Sequence, residues 1–142
     1  MKSIKQVLQG KNRPLISVSP GTDVFTALET MAKHDIGALL VLDGDRLAGI
    51  FSERDYARKI ALSGQQSKTT PVSAVMTEKV FYVTPDQTVS QCLALMTEKH
   101  FRHLPVLEGK KVVGVVSIGD LVKEKIAEQS FIIEQLERYI TT

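Results

Sequence analysis

Gly49-Ile50-Phe51-Ser52-Glu53-Arg54-Asp55 returns sixty-five positions later as Gly114-Val115-Val116-Ser117-Ile118-Gly119-Asp120. The shared frame is Gly-x-x-Ser-x-x-Asp, and the correspondence runs outward from it without a gap, residues 16–62 falling on residues 81–127. Val18-Ser19-Pro20 matches Val83-Thr84-Pro85, and Val24, Leu28 and Met31 match Val89, Leu93 and Met96. Leu39, Val41, Leu42 and Gly44 match Leu104, Val106, Leu107 and Gly109. Apolar matches alone would fit two merely similar folds. Matched Pro, Gly, Ser and Asp mark an internal duplication.

Each copy reads as β-α-β-β-α. An extended stretch ends at Pro20 or Pro85, a residue that favours β geometry before it and often stands near a helix start. Val24, Ala27, Leu28, Met31 and Ala32 form a helical stripe, as do Val89, Leu93 and Met96. Two short apolar runs follow, 38–42 and 47–51, joined by Asp43-Gly44-Asp45; the second copy has 103–107 and 112–116 joined by Glu108-Gly109-Lys110. A second helix starts near Ser52 and near Ser117. The expected fold class is α/β (α+β), two such repeats forming a pseudo-twofold pair in which each covers a sheet face of the other. The expected division is 1–70 for the first repeat with its N-terminal segment and polar linker, 71–128 for the second repeat, and 129–142 for a C-terminal helix. Within it, 71–76 reads as a short helix leading into the second repeat, and Phe131, Ile132, Leu136, Tyr139 and Ile140 make the tail helix amphipathic.

Composition narrows the functional class. The chain has 142 residues, 43% hydrophobic and 24% charged, which is ordinary globular composition. The net charge is +2 with signs interspersed, as in Lys123-Glu124-Lys125, so neither a nucleic-acid-binding stripe nor a charged tail is present. One cysteine, Cys92, allows no internal disulfide and fits a reducing, cytoplasmic setting. The N-terminus lacks the apolar core of a signal peptide, and no apolar run reaches the length of a membrane span.

The repeated motif carries the chemistry. In each copy a strand runs into a helix, with Ser at the N-cap position and Asp three residues on. A helix start offers free N–H groups and the positive end of a dipole to a phosphate. A serine hydroxyl can donate to the same phosphate, and a carboxylate can accept from the two vicinal hydroxyls of a ribose. The glycine would let a ligand approach the backbone. Ser-x-x-Asp before an apolar run is equally a plain helix cap. Its recurrence at one place in both repeats gives the binding reading its weight.

The chain resembles the tandem cystathionine-β-synthase (CBS) domain pair of the stand-alone bacterial type. The resemblance covers about residues 3–128 and rests on the repeat length, the Val-x-Pro starts, Arg102-His103-Leu104-Pro105-Val106, both Gly-x-x-Ser-x-x-Asp motifs and the stretch from Phe51 to Arg58. It implies binding of AMP, ADP or ATP, or of NAD or S-adenosylmethionine, with Asp on the ribose and Ser by the phosphate. It also implies dimerisation. The expected function is a regulatory, non-catalytic adenylate sensor read by a partner protein this sequence does not name; an interaction scaffold with degenerate clefts and an enzyme acting on an adenine nucleotide are the alternatives. Gly37-Ala38-Leu39-Leu40 departs from the Arg-His-Leu-Pro pattern in the first repeat. The cofactor-binding residues so expected are Val18, Ile50, Ser52, Arg54, Asp55, Val83, Arg102, His103, Pro105, Val115, Ser117 and Asp120.

The two clefts are expected to differ. Ser52, Arg54 and Asp55 are grouped with Arg102 and His103 as the main phosphate site, with Ile50 and Pro105 flanking adenine. Ser117 and Asp120 are grouped with Gly37 and Ala38, which offer no cation. No general base or nucleophile with a supporting partner stands out, and the three histidines show no metal-ligand spacing with Cys92. Cys92, Met31 and Met96 read as core, His34 and His100 as solvated residues near helix ends. Apolar helix faces (Ala57, Ile60 and Ala61; Leu121, Val122 and Ile126) point to a homodimer.

Overall fold

The computed structural model describes residues 2–11 and 15–141, the side chains of 139–141 excepted. They fall into two compact units, one built on each repeat.

In the first, β1 (Ser17–Val18) lies parallel to β2 (Ala38–Asp43), which pairs antiparallel with β3 (Arg46–Ser52). A parallel pair needs a crossover, and α2 (Val24–His34) supplies it. Asp23 caps that helix by accepting from the Thr26 N–H at 2.8 Å, and Asp35 ends it in the left-handed region at φ 52°. Gly44, at φ 63°, turns the β2–β3 hairpin. After β3 the chain makes one short turn, α3 (Glu53–Asp55), and widens into a π-helical stretch over Tyr56–Ala61. Val24, Ala27, Met31, Leu39, Val41, Phe51 and Ile60 form the core with Val72 and Val75.

The second unit repeats this plan. Val83 bridges Val106 in parallel, the counterpart of Val18 beside Val41. α4 (Val89–Lys99) leads to β4 (His103–Glu108) and β5 (Lys111–Ser117), and α5 (Ile118–Thr141) closes the chain. Cys92 is fully buried in this core, as its equivalent Ala27 is in the other, and burial pushes the thiol up to about 11. Among the described residues no helix is long and apolar enough to cross a membrane.

Two features differ from the expected division. The N-terminal segment, placed with the first repeat by its position in sequence, packs in the second. Ser3 caps α1 (Ile4–Gly10) in a reciprocal box with Gln6, and Ile4 and Val7 of that helix enter the second repeat's core. The Ile4 N–H donates to Gln87 O at 2.8 Å. Likewise residues 71–76, expected to lead into the second repeat, fold back on the first through a 3-10 turn at Val72–Ala74, whose Val72 N–H donates to Thr22 O at 2.7 Å. Thr22 and Gln87 stand at equivalent positions in the duplication, so Val72 and Ile4 occupy equivalent places. Each core lacks one apolar layer until such a segment covers it. The tail is not a separate helix either: α5 runs unbroken from 118 to 141, since no Gly or Pro interrupts it after Gly119. Of the tail residues expected to be apolar-faced, Tyr139 and Ile140 have side chains outside the described residues.

Candidate functional site

Both Ser-x-x-Asp segments fold as reciprocal caps. Ser52 N–H donates to Asp55 Oδ2 at 3.0 Å, and Asp55 N–H donates to Ser52 Oγ at 3.2 Å. In the second repeat Ser117 N–H donates to Asp120 Oδ2 at 2.9 Å and Asp120 N–H donates to Ser117 Oγ at 3.0 Å. The capping reading of the motif therefore holds in both copies, and any ligand chemistry is built on top of it.

The polar atoms left over differ. In the first repeat the Ser52 hydroxyl also donates to Asp55 Oδ2, at 3.1 Å. Asp55 Oδ1 accepts from Thr77 Oγ1 at 3.2 Å and forms an ion pair with Lys59 Nζ, also at 3.2 Å, and Lys59 is anchored in turn by donating to Val75 O at 2.9 Å. Asp55 thus accepts three hydrogen bonds beside that ion pair. Asp55 is accordingly buried. In the second repeat Lys11 Nζ donates to Asp120 Oδ2 and to Val115 O, both at 2.8 Å. The Ser117 side chain adds a further hydrogen bond to the Asp120 carboxylate. The Asp120 side chain is 29% exposed against 12% for Asp55. Burial acts to raise the Asp120 pKa, but the hydrogen bonds from Lys11 and Ser117, with the lysine charge, outweigh it and hold the carboxyl below its ordinary 3.8.

The motif glycines are closely covered. Both are buried, and what fills the place of a Cβ is the chain itself: Met76 Sδ and Thr77 O, each at 2.8 Å, over Gly49, and Leu8 Cδ2 at 2.7 Å over Gly114. The expectation that glycine serves a ligand is thus corrected to close packing of the segments that complete each repeat.

Of the remaining expected site residues, Arg54 and Arg102 are exposed and form no ion pair among the described residues. His103, Val18, Ile50 and Val115 are half-buried. Pro105 is buried in β4, and Val83 is wholly inside its core. Inside its own repeat, Arg102 O accepts from the Ile118 N–H at 2.8 Å, and Gly37 O accepts from the Glu53 N–H at 3.0 Å. Each motif turn is therefore stitched to the strand start of its own copy. Lys11, Lys59 and Thr77 carry no motif and were not among the expected residues. Only Lys59 left a signal, its i, i+4 spacing from Asp55.

A family model for the CBS domain matches residues 4–62 and 72–127. The chain is 42% identical over 122 residues to the mitochondrial CBS domain-containing protein CBSX3 of Arabidopsis thaliana, covering 82% of this chain and 59% of that relative's length. Its fold matches that of a protein with CBS domains from Burkholderia ambifaria MC40-6 at a TM-score of 0.86 and 50% identity, over 90% of this chain and 96% of the other. It also shares the fold of the CBS domain pair of protein MJ0100, solved in complex with 5′-methylthioadenosine and S-adenosyl-L-methionine, at a TM-score of 0.77 and 22% identity, over 90% and 98% of the two chains. A duplicated β-α-β-β-α unit, the same capped turn in each copy and a family model spanning both make this chain a member of the CBS domain family, with two CBS repeats.

Proposed function

We propose that the chain is a regulatory module that binds an adenine nucleotide (AMP, ADP or ATP, or alternatively NAD) and passes its occupancy to a partner protein in the cytoplasm. The observation that carries this reading is the Ser117–Asp120 turn. It holds a partly exposed carboxylate and a serine hydroxyl side by side, next to a lysine ammonium. That set suits a ribose bearing a phosphate: the carboxylate accepts from the sugar hydroxyls, and the hydroxyl and cation donate to the phosphate. Arg54, Arg102 and His103 are further phosphate donors in this reading, and Ile50, Pro105, Val18 and Val115 supply apolar contact to adenine. The adenosine ligands of the MJ0100 domain pair support the ligand class.

Calorimetry tests it. AMP should bind about tenfold more tightly than 2′-deoxy-AMP, because one charge-assisted hydrogen bond contributes about 1.5 to 3 kcal/mol. Arg102→Ala should weaken AMP more than adenosine. Unchanged AMP affinity in the double variant Asp55→Ala/Asp120→Ala would remove the basis for the assignment.

The module also acts, in this reading, as a homodimer. Val122, Ile126, Ile132, Ile133 and Leu136 of α5 are 41–58% exposed and follow one another along the helix, more apolar surface than a lone chain leaves to water without function. A monomer mass in light scattering at micromolar concentration would overturn this part.

A further inference from the structure

α5 carries a pattern that the repeats do not use. Val122, Ile126, Gln129, Ile133 and Leu136 follow one another at alternating steps of four and three. In a heptad abcdefg, Ile126 and Ile133 take a, and Val122, Gln129 and Leu136 take d. We propose that this seam pairs residues 122–136 with the same helix of a second copy of the chain, as a parallel, in-register, two-stranded coiled coil. The inference rests on the homodimer reading above and assigns its interface. Most of the seam lies beyond the CBS repeats, since the family match ends at residue 127.

The first turns of α5 are held along one side only. Leu121 is buried, and Lys125 Nζ donates to Ser90 Oγ of α4 at 3.1 Å. Val122 and Ile126 lie on another side of the same turns and are exposed. From Gln129 to Arg138 every residue is exposed. A helical stretch of about 12 residues with no packed face is marginal in water, so this one calls for a cover. β-Branched residues at a with Leu at d favour two strands. Gln129 then selects the occupant. In a parallel pair d faces d, so Gln129 meets its counterpart in the other copy and the two amides hydrogen-bond. In an antiparallel pair d faces a, and Gln129 would bury its amide unpaired against Ile133. A lipid surface would strand the same amide, and it favours helices with a cationic polar face. Residues 127–138 carry Glu128, Glu134 and Glu137 against Arg138, which pairs with Glu134 at 3.1 Å. A second copy brings the matching register by identity. Ile132 flanks the seam, and Phe131 falls on the outer face, outside the pairing.

Light scattering and cysteine cross-linking on the full chain test this. The unaltered chain should give a dimer mass. Ile133→Asp buries a charge in the seam and should raise the dimer dissociation constant at least about tenfold. Ile133 is exposed and outside both cores, so hydrogen-exchange protection of β4 and β5 should stay unchanged. Under air oxidation Leu136→Cys, on the seam, should give a linked dimer at least about tenfold faster than Glu134→Cys, on the outer face, because only the first pair comes within disulfide reach. Cys92 is buried and should give no link in the unaltered chain. An antiparallel pair would set residue 136 against Ile126 and keep the two new thiols apart. A dimer that Ile133→Asp leaves intact, a Leu136→Cys link no faster than that of Glu134→Cys, or a trimer or tetramer mass would overturn the coiled coil while leaving self-association standing. A monomer mass for the unaltered chain would bring down both.

Discussion

The first repeat covers Gly49 with Met76 and Thr77, and the second covers Gly114 with Leu8. In the first, the covering segment follows the repeat and contributes a hydroxyl that donates to Asp55. In the second, it is the N-terminal helix, drawn from the far end of the chain, and it is followed by Lys11, which donates to Asp120 Oδ2. The repeats themselves align without a gap and fold to the same plan. The covering segments, which the duplication does not include, thus bring different side chains to the two aspartates, Thr77 to one and Lys11 to the other.

The largest test of this comparison is Ile4→Ala. Ile4 is fully buried in the second repeat's core, so the substitution should cost about 2 to 5 kcal/mol. Hydrogen exchange should show lost protection in α4, β4 and β5, with α2, β2 and β3 little changed. Equal loss in both repeats would mean that α1 does not belong to the second repeat's core alone.

The glycines sharpen it further. A methyl group on Gly49 would meet the Thr77 carbonyl, which is held by the paired hydrogen bonds between Ile50 and Thr77, whereas on Gly114 it meets only the flexible end of Leu8. Gly49→Ala should therefore lower stability by about 1 to 3 kcal/mol and Gly114→Ala by clearly less, as read from denaturant midpoints. The reverse order would show that Leu8 is the more rigid cover.

The smallest effect belongs to Lys11→Met. Removing the ammonium should let the Asp120 carboxyl titrate closer to 3.8, measurable by carbon NMR. The sign for stability follows from a depressed folded pKa. The contribution is fully present above the unfolded value of about 3.8 and is lost as pH falls through the folded one. The stability difference between the unaltered chain and Lys11→Met should therefore shrink in acid. An Asp120 titration that does not move would remove Lys11 from the account of the site.

The sequence by itself determined the two β-α-β-β-α units, because each element is coded locally. Apolar spacing sets α2 and α4, Gly44 and Gly109 at φ 63° and 64° turn the hairpins, and a Ser and an Asp three apart cap the helix start whatever surrounds them. The burial of Cys92, Met31 and Met96 followed from the same periodicity. Only the tertiary structure decided which repeat receives α1 and residues 71–76. Each presents an apolar face, and a face does not name the core it will cover. For the same reason the state of the two aspartates was not legible. Lys11 reaches Asp120 across more than a hundred residues and Thr77 reaches Asp55 across twenty-two, contacts that no spacing rule encodes and that exist only once the chain has folded back on itself.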